Sequence, residues 1–234
     1  MTRGIRLRPI GVITGLIREA DCLNSLPADR RPRVLCSGAD TARARDHARA
    51  LIAEGCRGLL SFGIAGGLAG EITAGGLVVA DWVILPDGDR LPTALSWREG
   101  LLEALGGDPS ALVGPVAGSD RIVGTPAAKR ALAAGTGAVA VDMESHAVAA
   151  VAREAGVPFM VVRTVSDPAH SRIPDWTVGC VAADGARRWG AIAAGVIGHP
   201  GDLSALVRLA GDSRKAIDCL RRVAGRAGPF FGLS

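Results

Sequence analysis

Two apolar runs, joined by one helical pattern and each followed at once by acids, constrain this chain more than any other feature. The stretch from Val139 to Asp167 reads VAVDMESHAVAAVAREAGVPFMVVRTVSD. Val139, Ala140 and Val141 form a short apolar run, and Asp142, Met143 and Glu144 fall where that strand should end. Ala147, Val148, Val151 and Ala152 recur at helical spacing until Gly156 and Pro158 stop the helix. A second apolar run covers 158–162, with Arg163, Ser166 and Asp167 just past it. In an open α/β sheet, ligands bind outside the carboxyl ends of the strands. Glu144 and Asp167, delivered to two successive strand ends, are therefore the first candidates for chemistry. The ordinary alternative for each is capping of the helix or loop that follows.

The rest of the chain repeats the alternation of strands and helices. Strands are expected over 9–13, 33–37, 57–62 and 76–85, and over 112–118, where the internal Pro115 suggests a sheet edge. Helices are expected over 16–26, 41–54, 96–105, 127–134, 176–197 and 203–223. Residues 86–92 read as a polar turn and 106–109 as a loop. The polar segment 168–175 is a candidate lid. The terminus 228–234 is apolar, and its Phe230 and Phe231 either pack on the core or a neighbouring subunit, or touch a lipid-like ligand. No repeat or linker divides the chain, so 1–234 is drawn as one domain, with 202–234 packed on it or on a partner subunit.

Bulk properties narrow the classes. At 234 residues and 48% hydrophobic the chain can bury a full α/β core, and 32 glycines with only 3% aromatic residues make that core aliphatic and closely packed. The formal charge of +4 could suit an anionic partner, but the basic residues are scattered arginines with no run beyond pairs, which argues against nucleic acid. Five widely spaced cysteines without a CxxC, and four histidines without a cluster, point to reduced thiols in a cytoplasmic protein and to no metal. The basic start 1–8 is followed by an apolar run broken by Gly and Thr, so no signal peptide is expected. No stretch of ~20 apolar residues is long enough to span a membrane.

A third motif completes the pattern. Gly63-Ile64-Ala65-Gly66-Gly67-Leu68-Ala69-Gly70 lets backbone amides approach a ligand, yet it is neither a GxGxxG fingerprint nor a P-loop. Taken alone it could be a tight turn. Together with Val-Asp-Met-Glu (141–144) and Val-Arg-Thr-Val-Ser-Asp (162–167), it resembles the purine nucleoside phosphorylase and methylthioadenosine/S-adenosylhomocysteine nucleosidase superfamily. The resemblance runs from Gly11 to Ile197. It implies a three-layer α/β/α fold with a central mixed, twisted, partly barrel-like sheet, and cleavage of a purine N-glycosidic bond without a cofactor.

The resemblance also implies roles. That cleavage leaves positive charge on the ribose and negative charge on the base, and a catalyst should stabilise both. Asp167, oriented by Ser166, would donate a proton to the base. Glu144, beside Met143, would accept ribose hydroxyls. Glu19 would activate the attacking water, although Arg18 competes for its place in the alignment and a Glu early in a helix is often only favourable to the dipole. Arg163 would position the water or balance the carboxylates. Gly66 and Gly67 would lie against ribose and nucleophile. Ile122 and Val123, beside Arg121, would cover the base where the family often has an aromatic ring, and Phe159 is offered as a replacement stacking surface. Ser145 and His146 are neighbours on a helix and do not face each other, which argues against a nucleophile pair.

Two departures bear on the nucleophile. Phosphorolytic members place an Arg shortly before the glycine loop, where Leu60, Ser61 and Phe62 stand here, which favours water. Hydrolytic members often have a hydroxyl residue at Ile64. The length, a shortened 85–95 region, Ile64 and the wording Val-Asp-Met-Glu-Ser-His look most like the hopanoid-associated phosphorylase-like group. That group is implied to release adenine from adenosylhopane, giving ribosylhopane. Hydrolysis of methylthioadenosine or S-adenosylhomocysteine, phosphorolysis of a nucleoside, and a non-catalytic nucleoside sensor stay open. The resemblance further implies a homo-oligomer, a dimer or larger, and a lipid-linked substrate leaves room for transient contact with a membrane surface.

Overall fold

The computed structural model describes residues 9–107, 111–182, 184–186, 188–228 and 230–233. The basic start 1–8, part of the 106–109 loop, positions 183 and 187 of the helix expected over 176–197, and positions 229 and 234 of the apolar terminus lie outside them.

Eight strands make one mixed sheet: β1 (Gly11–Thr14), β2 (Arg33–Cys36), β3 (Leu59–Gly67), β4 (Leu77–Ile84), β5 (Arg90–Pro92), β6 (Ala111–Gly118), β7 (Ala140–Asp142) and β8 (Phe159–Asp167). The path runs β2-β1-β3-β7-β6-β4-β5, and β8 pairs with both β3 and β4. Strands β3, β7, β6, β4 and β8 therefore close on themselves, while β1 and β2 extend the sheet on one side and β5 on the other. This closed ring is the barrel-like part of a mixed sheet: β3–β8, β4–β6 and β6–β7 are parallel, β3–β7 and β4–β8 antiparallel. Closure removes open edges from the strands that carry the candidate residues.

Helices cover both faces. On one, α2 (Thr41–Ala53) and α5 (Ser145–Ala155) bury Ala44, Ala48, Leu51, Val148 and Val151 against the sheet. On the other, α1 (Ile17–Asn24), α3 (Leu95–Ala104) and α7 (Leu203–Arg226) bury Leu23, Trp97, Leu101, Ile217, Leu220 and Val223. Strand β8 feeds both layers by its period of two: Phe159, Val161 and Val165 enter the first core, Met160 and Val162 the second. The helix α4 (Pro126–Thr136) is N-capped by Thr125, whose Oγ1 accepts the Ala128 N–H at 3.1 Å.

Three local expectations are corrected, and one open alternative, the packing of the terminal phenylalanines, is decided. The strand 112–118 is interior, lying between β7 and β4. Pro115, which has no N–H, is accommodated because the β4–β6 register shifts beside it, between Ala80 and Val83. Residues 90–92, expected in a turn, pair as β5 with β4. The helix expected over 176–197 is broken into a 3-10 segment, Asp175–Cys180, and α6 (Trp189–Gly198). A turn intervenes, in which Asp184 Oδ1 accepts the Ala186 N–H and Gly185 takes a positive φ of 83°. The Phe230–Phe231 tail packs on the chain's own core rather than beside a ligand. Phe231 is fully buried edge-on to Phe62, its carbonyl accepts the Trp97 indole N–H at 2.9 Å, and Arg57 lies over the Phe230 ring.

Candidate active site

The candidate site forms where β8 ends against the glycine loop of β3. Consecutive strand residues point to opposite faces, so Ser166 and Asp167 should not share a wall. They do share one, because the β3–β8 register slips at this point: Ala65 pairs with Val165, but Gly66 pairs with Asp167. The bulge turns both side chains into a cleft of about 190 Å³. Glu19, Ile64, Gly66, Arg121, Ile122, Val123, Met143 and Glu144 also line that cleft. Asp142, Ile173 and Val181 contribute to its walls as well.

All three acids singled out by the sequence reach this cleft, and each is buried. Glu19 accepts three backbone N–H groups: Gly15 at 2.8 Å and Leu16 at 2.9 Å on Oε2, and Ile64 at 2.8 Å on Oε1. It therefore does cap its own helix through the Leu16 N–H, and at the same time faces the cleft. Burial raises its carboxyl above the usual carboxylate range, against the pull of these donors and of Arg163. Glu144 makes no cap; the Ser145 N–H is taken by Asp142 Oδ1 at 3.2 Å instead. Burial, with the negative charges of Asp142 and Glu19, pushes the Glu144 carboxyl up to about 8, although the Arg163 guanidinium 3.5 Å away opposes this. Asp167 is held on both oxygens. Ser166 Oγ donates to Oδ1 at 2.7 Å and Lys129 Nζ to Oδ2 at 2.6 Å. Burial again dominates and raises its carboxyl, with Lys129 opposing.

Each acid rests against a glycine. A Cβ built on Gly15 would stand 2.6 Å from Glu144 Oε1, one on Gly63 2.8 Å from the Glu19 carboxyl, and one on Gly66 3.1 Å from Asp167 Oδ2. Real Cβ atoms essentially never approach as closely as at Gly15 and Gly63, and the Gly66 approach is tighter than most, so the glycines are the space the carboxyls occupy.

Other expected site residues lie elsewhere. Phe159 is at the opposite end of β8 from Asp167, buried among core side chains, and does not line the cleft. Its position at the start of the strand excludes it from a site built at the strand's end. Gly67 falls just behind the cleft, where a Cβ would meet Val165 and Pro168. Arg163 stands behind the cleft wall, buried against Asp142, with Nη2 donating to Ser61 Oγ at 2.6 Å and to Ser145 Oγ at 3.2 Å. It sits as a counter-charge to the acids rather than on the surface a ligand would meet. Ser145 is bound to Asp142 and Arg163, whereas His146 Nε2 faces Asp120 Oδ1 at 3.1 Å, so the two do not pair.

Lys129 is the residue that sequence reasoning missed. Its side chain is fully buried, and Nζ also donates to the carbonyls of Asp167 at 2.8 Å, Pro168 at 2.9 Å and Ser171 at 3.3 Å. One signal was available. The chain has 27 Lys and Arg residues together, and only Lys129 and Lys215 are lysine. An ammonium points three donors from one compact atom, whereas a guanidinium spreads its donors in a plane.

A family model confirms the likeness that the motifs suggested, matching residues 28–197. The chain belongs to the phosphorylase superfamily. No curated protein matches it. Among solved structures, this phosphorylase-superfamily chain is similar to the 5'-methylthioadenosine/S-adenosylhomocysteine nucleosidase of Helicobacter pylori, with a TM-score of 0.69 at 19% identity over 94% of this chain and 99% of that one. The S-adenosylhomocysteine nucleosidase of Streptococcus pyogenes gives 0.70 at 18% over 94% and 98%. The futalosine hydrolase of Helicobacter pylori gives 0.69 at 18% over the same shares. At such identities these likenesses speak for the fold. Among the described residues of this superfamily member no group of three or more His, Cys, Asp or Glu is placed to hold a metal ion, and no helix is long and apolar enough to cross a membrane.

Proposed function

We propose that this protein hydrolyses the N-glycosidic bond of an adenosyl nucleoside, and that its substrate carries a large apolar group at the sugar's five-position, as adenosylhopane does. The observation that carries the reading is the convergence of Glu19, Glu144 and Asp167 on one cleft. Asp167 faces the departing base as acid, and Glu144 lies under the sugar, where it accepts hydrogen bonds from the hydroxyls and offsets the cationic ring. On Glu19, Oε2 is filled by two N–H donors, while Oε1 holds one and keeps a lone pair for water. The base rests on the aliphatic Ile122 and Val123, since no aromatic ring is among the residues lining the cleft.

Water is favoured over phosphate because Leu60 and Phe62 are core residues and Ser61 is bound to Arg163, so no arginine precedes the glycine loop to hold an anion. The solved relatives with similar folds are named as hydrolytic enzymes. Methylthioadenosine or S-adenosylhomocysteine is the second reading, supported by those names. The apolar tail is supported by Ile173 and Val181 on the cleft wall.

The test is adenine release from adenosine derivatives of increasing five-position chain length, with and without phosphate. Release is expected without phosphate, to give the free sugar, and to be faster for long apolar substituents than for methylthioadenosine. Strict dependence on phosphate, or no release from any adenosyl substrate, would refute the proposal.

The glycine packing adds a second expected result. Gly63→Ala should lower stability by at least about 2 kcal/mol, because the new Cβ displaces the Glu19 carboxyl and leaves buried N–H groups without a partner. The displaced carboxyl loses its three N–H donors, so adenine release should fall by more than about 10²-fold. Thermal melting and the same assay separate the two effects.

A further inference from the structure

We propose that Lys129 is a positioning residue for the reaction, its ammonium clamping the Asp167 carboxyl and the turn after β8 into one unit and setting the pH range over which Asp167 holds a proton. The proposal rests on the nucleosidase reading given above.

The geometry separates this role from simple burial of a helix side chain. Lysine has three N–H donors and no acceptor, so every oxygen around it must accept. Four oxygens surround Nζ: Asp167 Oδ2 at 2.6 Å, and the carbonyls of Asp167, Pro168 and Ser171 at 2.8, 2.9 and 3.3 Å. The carbonyls fix the backbone of the turn, and the carboxyl contact adds charge. With Ser166 Oγ on Oδ1, both oxygens have donors and the carboxyl plane cannot rotate freely. A proton passed to a departing base must then leave from a defined direction, which is what general acid catalysis requires.

The charge has a direction of effect. An ammonium in contact with a buried carboxyl favours its ionised form and opposes the burial that favours the acid. Asp167 also lines a second cavity of about 280 Å³ on the far side from the sugar, where His170 and Arg172 of the turn and Arg208 and Asp212 of α7 face it. Arg121 lines the cleft on the substrate side. Lys129 is the one charged group among these with a hydrogen bond to the Asp167 carboxyl, so its removal should dominate any shift.

The test uses the full chain with Lys129→Met and Lys129→Gln. The Asp167 carboxyl is followed by 13C NMR titration, its resonance assigned by loss in Asp167→Asn. Its midpoint is expected to rise by at least about one pH unit in both variants. The alkaline limb of kcat/KM, where Asp167 loses its proton, should move up with it, while KM changes by less than about three-fold. An unmoved midpoint and limb, with only a lower melting temperature, would overturn the proposal. So would failure of both variants to fold, which would make Lys129 a residue of the fold alone. A shifted midpoint in a protein whose wild type releases no adenine supports the Lys129–Asp167 coupling and rejects the nucleosidase reading, so the two failures are separable.

Discussion

Asp167→Asn is expected to bind adenosyl nucleosides yet release adenine about 10²–10⁴-fold more slowly than the wild type. The amide has the shape of the carboxyl and can accept from Ser166, as Oδ1 does now at 2.7 Å. It cannot donate a proton as an acid does at neutral pH, so the loss should fall on kcat and leave KM nearly unchanged. A second consequence follows from Lys129. Its side chain is fully buried, and at pH values where Asp167 is ionised the exchange leaves the ammonium with carbonyls but no counter-charge. Removing one partner of a buried pair costs about 3–5 kcal/mol. The variant should therefore melt lower, and the double variant Asp167→Asn, Lys129→Met should recover part of that loss without recovering activity. Steady-state kinetics beside thermal melts checks both. Full activity in Asp167→Asn would remove Asp167 from the chemistry.

What was legible in the sequence follows from which interactions are local. Asp167 and Glu144 could be read because each ends a strand, and strand ends in an α/β sheet gather at one place. Glu19, the third residue of the helix after β1, could be read only through the family resemblance, since a Glu there also suits the helix dipole. The bulge could not be read. It depends on β3 and β8 slipping past each other at Ala65 and Gly66, a property of two distant segments. Without it Ser166 and Asp167 would have pointed to opposite faces. Phe159 was misplaced because an aromatic ring was sought near β8, but it and Asp167 are the first and last residues of a nine-residue strand. Pro115 suggested an edge because the rule for proline in sheets names edges and bulges alike, and only the pairing distinguishes them. Lys129 was missed because its partners lie in a turn nearly forty positions away, with |i−j| of 38 and 39. The glycine loop was legible as a place of close approach. That Gly15, Gly63 and Gly66 each make room for one particular carboxyl was not, since the acids come from three other parts of the chain.

Glu144→Gln is expected to do two opposite things: to lower adenine release by more than about 10²-fold, and to stabilise the empty protein in alkaline solution. The carboxyl stands at about 8 in the fold against an ordinary value of 4.5. Between those two pH values the folded state binds the proton that the unfolded state has lost. Stability contributed by this group is thus full below 4.5, falls as pH rises through the window, and has gone above 8. Glutamine is neutral throughout and removes that slope. Its melting temperature should exceed the wild type's by at least about 5 °C at pH 9, and the two should converge near pH 5. Asp167 and Glu19 are also raised by burial and leave a slope of the same sign in the variant. The physical cause of instability is also the proposed source of catalysis. A buried carboxylate beside Asp142 and Glu19 is poorly solvated, and Arg163, 3.5 Å away, compensates for it only in part. A sugar that becomes cationic supplies the missing charge, so the ionised form is stabilised most when the glycosidic bond is breaking. Melting curves from pH 5 to pH 9 that are parallel for wild type and Glu144→Gln would show that the carboxyl carries no such burden in the empty cleft.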